Sequence, residues 1–273
     1  MNRAYDGLLR ASDGLYLFLN GLSGRSWLFD SLVALAIDNN LVKAAPIAAA
    51  FLLAWFRGGA GAERLRARRI LLVTLGSLVL VLGVTKLISD SIFLPRPFIQ
   101  SQQTYHLDEA GRLVEAPRLA YRTPQEGFSH GRFERLRAGE IEDNDLASFP
   151  SDHAAFYFAL ALGIFLASRA AGIFALSWAV VVICGSRMIT GTHSPLDIAA
   201  GIAIGSALLL GAQWLTNRVV PRPLEWAAEW TERHTAAASA LLFLALFEVA
   251  NTLDGIREVM RTAKKIVERL AGL

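Results

Sequence analysis

Five apolar runs, at 41–56, 70–88, 154–167, 173–184 and 196–215, reach or approach the length needed to cross a bilayer. No other feature restricts the fold as strongly. A segment in hydrocarbon must satisfy its own backbone N–H and C=O groups, and a run of about 20 apolar residues does so as a helix. The two shorter runs complete a crossing only by drawing in flanking residues. With 53% hydrophobic residues and a mean hydropathy of +0.39, the chain reads as an all-α, polytopic membrane helical bundle of five to six transmembrane helices.

A sixth run, 236–250, either spans or lies flat between "RPLEWAAEWTERHT" and the amphipathic tail "IREVMRTAKKIVERL". Ahead of the first span, Asp30 and Asp38 interrupt "SWLFDSLVALAIDNN". The start, "MNRAYDGLLRASDGLYLFLNGLSG", lacks the basic residues, unbroken apolar core and small-residue cleavage site of a signal peptide. Both segments predict helices lying at the interface. The expected organisation is interfacial amphipathic helices over 1–40, a membrane domain over 41–217 with a long loop at 98–149, and an amphipathic or additional membrane helix over 218–273. No linker or internal repeat divides it. The single cysteine, Cys184, excludes an internal disulfide and a thiolate metal cluster. A formal net charge of +3, dispersed along the chain, argues against nucleic acid as a partner.

If each run crosses once, "RGGAGAERLRARR", Arg169 and "NRVVPRP" fall on one side, which an excess of arginine marks as cytoplasmic. The 98–149 loop, with nine acidic residues, six arginines and no lysine, emerges on the other. Within it, "YHLDEAGRLVEAPRLAYR" has two short alternating stretches around Glu109, Ala110 and Gly111, the pattern of a small β-hairpin. A loop of this length is either a lid or a disordered insertion.

Three polar clusters end the spans on that outer side: "KLISDSIFLPRPF" with Lys86 and Arg96, "FPSDHA" with Ser151, Asp152 and His153, and "SRMITGTHSPLD" with Ser186, Arg187, His193 and Asp197. Taken singly, each has a plain structural explanation. Lys86 and Arg96 would anchor span ends at the headgroups. Ser151 and Asp152 would cap a helix beginning near Ala154, and a lone interfacial histidine is more often structural than catalytic. Taken together they weaken that explanation. Two arginines, a lysine, two histidines and a carboxylate on one side, three of them bordering helix N-termini, make a set suited to phosphate. Arginine grips phosphate oxygens in pairs and keeps its charge; two histidines supply a nucleophile and a proton donor.

Ser194 and Pro195 read as the N-cap and first residue of the helix that begins near Leu196, which puts Asp197 in its first turn and His193 just before it. From there the Asp197 carboxylate is expected to accept the His193 Nδ1–H, leaving Nε2 as a nucleophile and stabilising a phosphohistidine.

The pattern Lys…Arg-Pro, Pro-Ser-x-His and Ser-Arg-x5-His-x3-Asp resembles the three-part signature of the type-2 phosphatidic acid phosphatase superfamily, which includes lipid phosphate phosphatases, bacterial undecaprenyl-diphosphate phosphatases and vanadium haloperoxidases. The third part matches in full at Ser186, Arg187, His193 and Asp197. The second matches at Pro150, Ser151, Asp152 and His153. Asp152 stands where the family more commonly has glycine, and Pro-Ser-Asp-His is frequent among the bacterial undecaprenyl-diphosphate phosphatases. The first part departs: nine residues separate Lys86 from Arg96 where the family usually has six, and an ungapped match would put Ser89 at the lysine position. Three extra residues rotate a helical side chain by about 60° from a whole turn and shift it about 4.5 Å, a gap that the long Lys86 side chain would have to bridge.

The resemblance covers roughly 41–215 and implies the helical-bundle fold of that superfamily and an enzyme with no metal and no cofactor. It implies that His193 attacks phosphorus, that His153 protonates the leaving oxygen and then activates water, and that Asp197 orients His193. Arg96, Arg187 and Lys86, with Ser151, Ser186 and the backbone N–H of Asp152, would hold the phosphate oxygens. The expected activity is hydrolysis of a membrane lipid phosphate at the outer face of the inner (plasma) membrane, with the bilayer and the lipid as partners. Undecaprenyl diphosphate leads, with phosphatidic acid and phosphatidylglycerophosphate as alternatives. Transfer to another lipid in place of water, or lipid-phosphate binding without catalysis, also stay open. Arg96 and Arg187 would repel a zinc ion, and the apolar spans disfavour a haloperoxidase. His106, His130 and His234 match no motif and are expected at the surface; the 98–149 loop is expected to gate the site.

Overall fold

The computed structural model describes residues 3–57, 61–101, 105–107, 110–115, 119–140 and 146–251. The tail read above as amphipathic lies outside them. In chain order the elements are α1 (Arg3–Asn20), α2 (Trp27–Asp38), α3 (Asn40–Phe56), α4 (Ala62–Ser91), β1 (Tyr105–Leu107), β2 (Leu113–Glu115), α5 (Phe128–Arg137), α6 (Asp152–Ala167), α7 (Arg169–Trp178), a π-helical stretch (Ala179–Cys184), α8 (Gly185–Ile189), α9 (Pro195–Val219), α10 (Pro221–Arg233) and α11 (Thr235–Ala250).

All the apolar runs are helical. Among the described residues, three helices are long and apolar enough to cross a membrane alone: α4, the continuous Arg169–Ile189 unit made of α7, the π stretch and α8, and α9. The count rises to five if two bent pairs each make one span, α2 with α3 at 63° and α10 with α11 at 110°. The first bend falls at Asn39, whose side chain accepts from the N–H of Leu41 and Val42 and so starts α3 afresh. Helix α4 begins at Ala62, earlier than its apolar run, because arginines lose little rotamer freedom in a helix. Its 30 residues measure about 45 Å against a hydrocarbon core of about 30 Å, so the arginine-rich turns reach past it.

The bundle is built around α6, which packs on α3, α4, α7 and α9. With 16 residues it is too short to cross unaided, but Ala154, Ala155, Phe156, Tyr157, Ala159, Leu160, Ala161, Gly163 and Ile164 are buried by protein. Its small residues let neighbours approach backbone to backbone. A side chain added at Gly201 of α9 would collide with the Ser151 carbonyl, at Gly205 with the Ala155 carbonyl, and at Gly163 with Thr74.

At one end of the bundle Arg57, Glu63, Arg66 and Ser168 line a common cleft, and α10 packs on α4. From there α11 returns beside α3, burying Ala238, Leu242, Leu246 and Val249. At the opposite end Asn251 accepts from Asn40 at 3.2 Å. The 236–250 run is thus helical and packs on α3. The 98–149 loop contains the expected hairpin, antiparallel with His106 opposite Val114, and the helix α5.

Candidate active site

Three chain segments meet where α4 ends and α6 and α9 begin, and backbone hydrogen bonds stitch them together. Pro95 bridges Ala147, the N–H of Arg96 donates to Leu146 at 3.2 Å, and that of Ser148 to Leu94 at 2.8 Å. The N–H of Ser151 donates to the Asp197 carbonyl at 3.1 Å, which ties the start of α6 to the first turn of α9. Positions far apart in sequence are thereby fixed before any side chain is considered.

Ser194 is the N-cap of α9 with Pro195 at its first position. Its Oγ accepts the Asp197 N–H at 3.2 Å and the Asp197 carboxylate accepts the Ser194 N–H at 2.6 Å, a reciprocal capping box. This corrects the direct Asp197–His193 bond expected from sequence. The carboxylate at the third position turns back to the cap, and its Oδ2 also accepts the hydroxyl of Ser148 at 2.5 Å. The His193 Nδ1 lies 2.8 Å from the Ser148 carbonyl and 3.4 Å from the Ser148 Oγ. A carbonyl only accepts, so Nδ1 carries the proton and Nε2 keeps its lone pair. Ser148, fully buried, therefore stands between His193 and Asp197; it was absent from the sequence reading.

His193 is 4% exposed. Burial first, then the charge of Arg96, pushes its imidazole well below the ordinary histidine value, with Arg187 acting in the same direction. The neutral ring is a nucleophile. His153, in the first turn of α6, is oriented by the same logic: the Asp152 Oδ1 accepts its backbone N–H at 2.7 Å and its Nδ1 at 2.9 Å, which leaves Nε2 for a substrate. Ser151 is the N-cap of α6, its Oγ 3.4 Å from the Ala154 N.

Ser186 and Arg187 lie in α8, one residue past the π-helical stretch, a distortion that often marks functional positions. The Ile183 carbonyl accepts both Ser186 Oγ at 3.1 Å and Arg187 Nη1 at 3.2 Å. Arg187 is 4% exposed and makes no salt bridge among the described residues. Its charge reaches both His193 and His153, and that of Arg96 reaches His193 and Arg187. Among the described residues, no three of His, Cys, Asp and Glu converge as a metal-ligand set.

Lys86 is not brought in. Its ammonium is 2.6 Å from Asp90, one turn on, and the side chain is 72% exposed; helix phase turns it away, so its assignment from motif spacing is corrected. Lys43 of α3, which no motif flagged, is buried and its charge reaches His153. The available signal was a lone lysine in an apolar run. Of the remaining histidines, His234 is exposed and stacks on Trp230. His130 is half-buried with Nδ1 2.9 Å from the Pro124 carbonyl, and the side chain of His106 lies outside the described residues.

Part of the 98–149 loop covers the His193 segment. Tyr121 donates to the Thr190 carbonyl at 3.2 Å and packs between Phe98 and Phe133. Gly191, at φ +69°, passes so close to Tyr121 and Tyr16 that a side chain there would collide. Asn20 and Ser23 at the end of α1 both donate to the Ile189 carbonyl, at 2.9 and 2.8 Å. Asp30, read above as an interruption, is buried and accepts the N–H of Gly24 at 2.9 Å and of Gln125 at 2.8 Å.

A profile of the PAP2 superfamily matches residues 70–221, more than half of the chain. Phosphatidylglycerophosphatase B of Escherichia coli (strain K12) and that of Shigella flexneri are each 33% identical over 165 residues. The match covers 57% of this chain and 64% of each relative, a little under two thirds of their length. No solved structure matches.

Proposed function

This chain belongs to the PAP2 superfamily, and from that premise we propose that it is an integral-membrane lipid phosphate phosphatase working through a phosphohistidine on His193. The observation that carries the reading is the paired orientation of two histidines, each with Nδ1 on an acceptor and Nε2 available, within the positive field of Arg187 and, at His193, of Arg96.

His193 Nε2 attacks phosphorus and the bond to the lipid oxygen breaks. His153, protonated on both nitrogens with its single charge balanced by Asp152, gives its Nε2 proton to that oxygen. It then takes a proton from water, whose oxygen attacks the phosphohistidine; inorganic phosphate leaves, and both histidines return to their starting state. Arg96 and Arg187 bind the phosphate oxygens and the charge that grows on them. Asp197 supports the cationic imidazole of the intermediate through the Ser148 hydroxyl.

Two substrates have specific support. The relatives' name favours phosphatidylglycerophosphate. Asp152 in place of the family's usual glycine favours a polyprenyl diphosphate such as undecaprenyl diphosphate. The 98–149 loop, docked on Thr190 and α1, gates entry from the outer face of the inner membrane. The deciding experiment is phosphate release from both lipids by purified protein in excess chelator. Wild type releases phosphate, and His193→Ala is slower by about 10⁴-fold or more. No release from either lipid overturns the reading; release that the chelator abolishes overturns the metal-free mechanism.

A further inference from the structure

We propose that Lys43, in the first turn of α3, is the third cation of the phosphate site and serves the leaving-oxygen side of it. The proposal deepens the phosphatase reading and rests on it.

The chain has four lysines, at 43, 86, 264 and 265. Lys86 is held on an exposed face by Asp90, whereas Lys43 is 7% exposed on a helix whose Ala44, Ile47, Ala50 and Phe51 belong to the core. A buried ammonium in an apolar helix is costly, and in membrane helices such groups mark ligand or ion sites. Contacts at the outer end of the bundle fix where its turn lies. Asn40, three residues before Lys43 and on the same face of the helix, donates to Asn251 at the end of α11. Two residues earlier on α11, the Val249 carbonyl accepts the Tyr157 hydroxyl at 3.4 Å. Tyr157 lies one turn beyond His153 on α6 and stacks on it, with ring centroids 6.2 Å apart. The first turns of α3 and α6 are thus joined through the end of α11, and the Lys43 charge acts on the His153 imidazole.

The cations share the site. Arg96 acts on His193, around the phosphorus under attack, and Arg187 acts on both histidines. Lys43 adds to the field at His153, the group assigned to the leaving oxygen. A flexible, compact ammonium there neutralises charge arriving on that oxygen and on any second phosphate attached to it. Lys43 also lies outside the segment that matches the superfamily, 70–221, so this chain takes from α3 a cation that motif spacing would seek on α4.

The test compares Lys43→Met, Lys43→Arg and Lys86→Gln in the full-length protein, reading kcat/KM on phosphatidylglycerophosphate and undecaprenyl diphosphate, inhibition by vanadate as a phosphate mimic, and melting temperature. Lys43→Met is expected to lose about 100-fold in kcat/KM, more on the diphosphate, and to weaken vanadate inhibition. Its melting temperature is read beside that of Lys43→Arg, which tells loss of the cation apart from loss of the fold. Lys43→Arg regains most of the activity, and Lys86→Gln stays within about twofold of wild type. Full activity and vanadate inhibition in Lys43→Met, or a large loss in Lys86→Gln, overturns the proposal. So does a loss in Lys43→Met that tracks a fallen melting temperature with Lys43→Arg no better. A wild type silent on both lipids removes the phosphatase reading itself, which separates that failure from this one.

Discussion

The two ends of the bundle both gather arginines, and they treat them differently. At the end where α4 begins, α10 lays carboxylates against them: Arg69 meets Glu225 at 3.0 Å, and Arg64 and Arg68 approach Glu232 at 3.8 and 3.9 Å. Arg68 also donates to Thr231 at 3.0 Å and lies over the Trp55 ring. At the other end Asp152 is committed to His153 and Asp197 to Ser148 and Ser194, while Arg187 has a backbone carbonyl and, among the described residues, no carboxylate bond. Charge closed within the fold is structure. Buried positive charge left open is costly until an anion arrives, and it is the arrangement expected of a phosphate site.

The widest separation between the ends is expected from paired substitutions. Arg187→Lys removes a rigid fork from the open end and should cut kcat/KM by about 10²-fold or more with little change in stability. Arg68→Met removes a hydrogen bond and a ring contact from the closed end and should cost about 1–3 kcal/mol of stability, with the folded fraction fully active. Activity assays beside thermal melts check both. Loss of activity in folded Arg68→Met, or unfolding in Arg187→Lys, would dissolve the distinction.

A smaller effect tests how the open end is organised. If Asp197 reaches His193 only through the Ser148 hydroxyl, Ser148→Ala should lower kcat by about tenfold with KM unchanged. Adding Asp197→Asn to it should cost less than Asp197→Asn costs in the wild-type background, because both changes break one chain of contacts. Additive losses would mean that the two residues act separately.

What sequence could and could not foresee follows from the range of the forces involved. The capping box of α9 was legible because Ser194, Pro195 and Asp197 satisfy one another within a turn, and the spans were legible because hydrocarbon demands long helices. Ser148 was not, since only the pairing of its N–H with Leu94 carries it to His193. The exclusion of Lys86 was hinted at by the three-residue surplus but decided by helix phase and by Asp90. Lys43 precedes His153 by a whole loop and two helices, and its one local sign, a lysine among apolar residues, has no direction. Asp30 carries the same lesson: a carboxylate that looks like a break in an apolar run is buried to hold the turn at Gly24 and the loop at Gln125.

The finest test of the contrast is pH. Burial, and after it positive charge, disfavours the imidazolium, so His193 stays neutral, with its Nε2 lone pair intact, to pH values below the ordinary histidine range. Activity that depends on that lone pair should fall only as pH drops through this lowered value, and the acid limb of kcat/KM reports it for the free enzyme. Arg96→Gln removes the charge with the largest electrostatic effect on the ring; the imidazolium then becomes easier to form and the acid limb should move to higher pH, whatever the accompanying loss in rate. Arg69→Gln, at the end where charge is already balanced by Glu225, should leave the limb where it was. A limb that stays fixed in Arg96→Gln, or shifts toward acid, would mean that the charge of Arg96 does not act on the nucleophile.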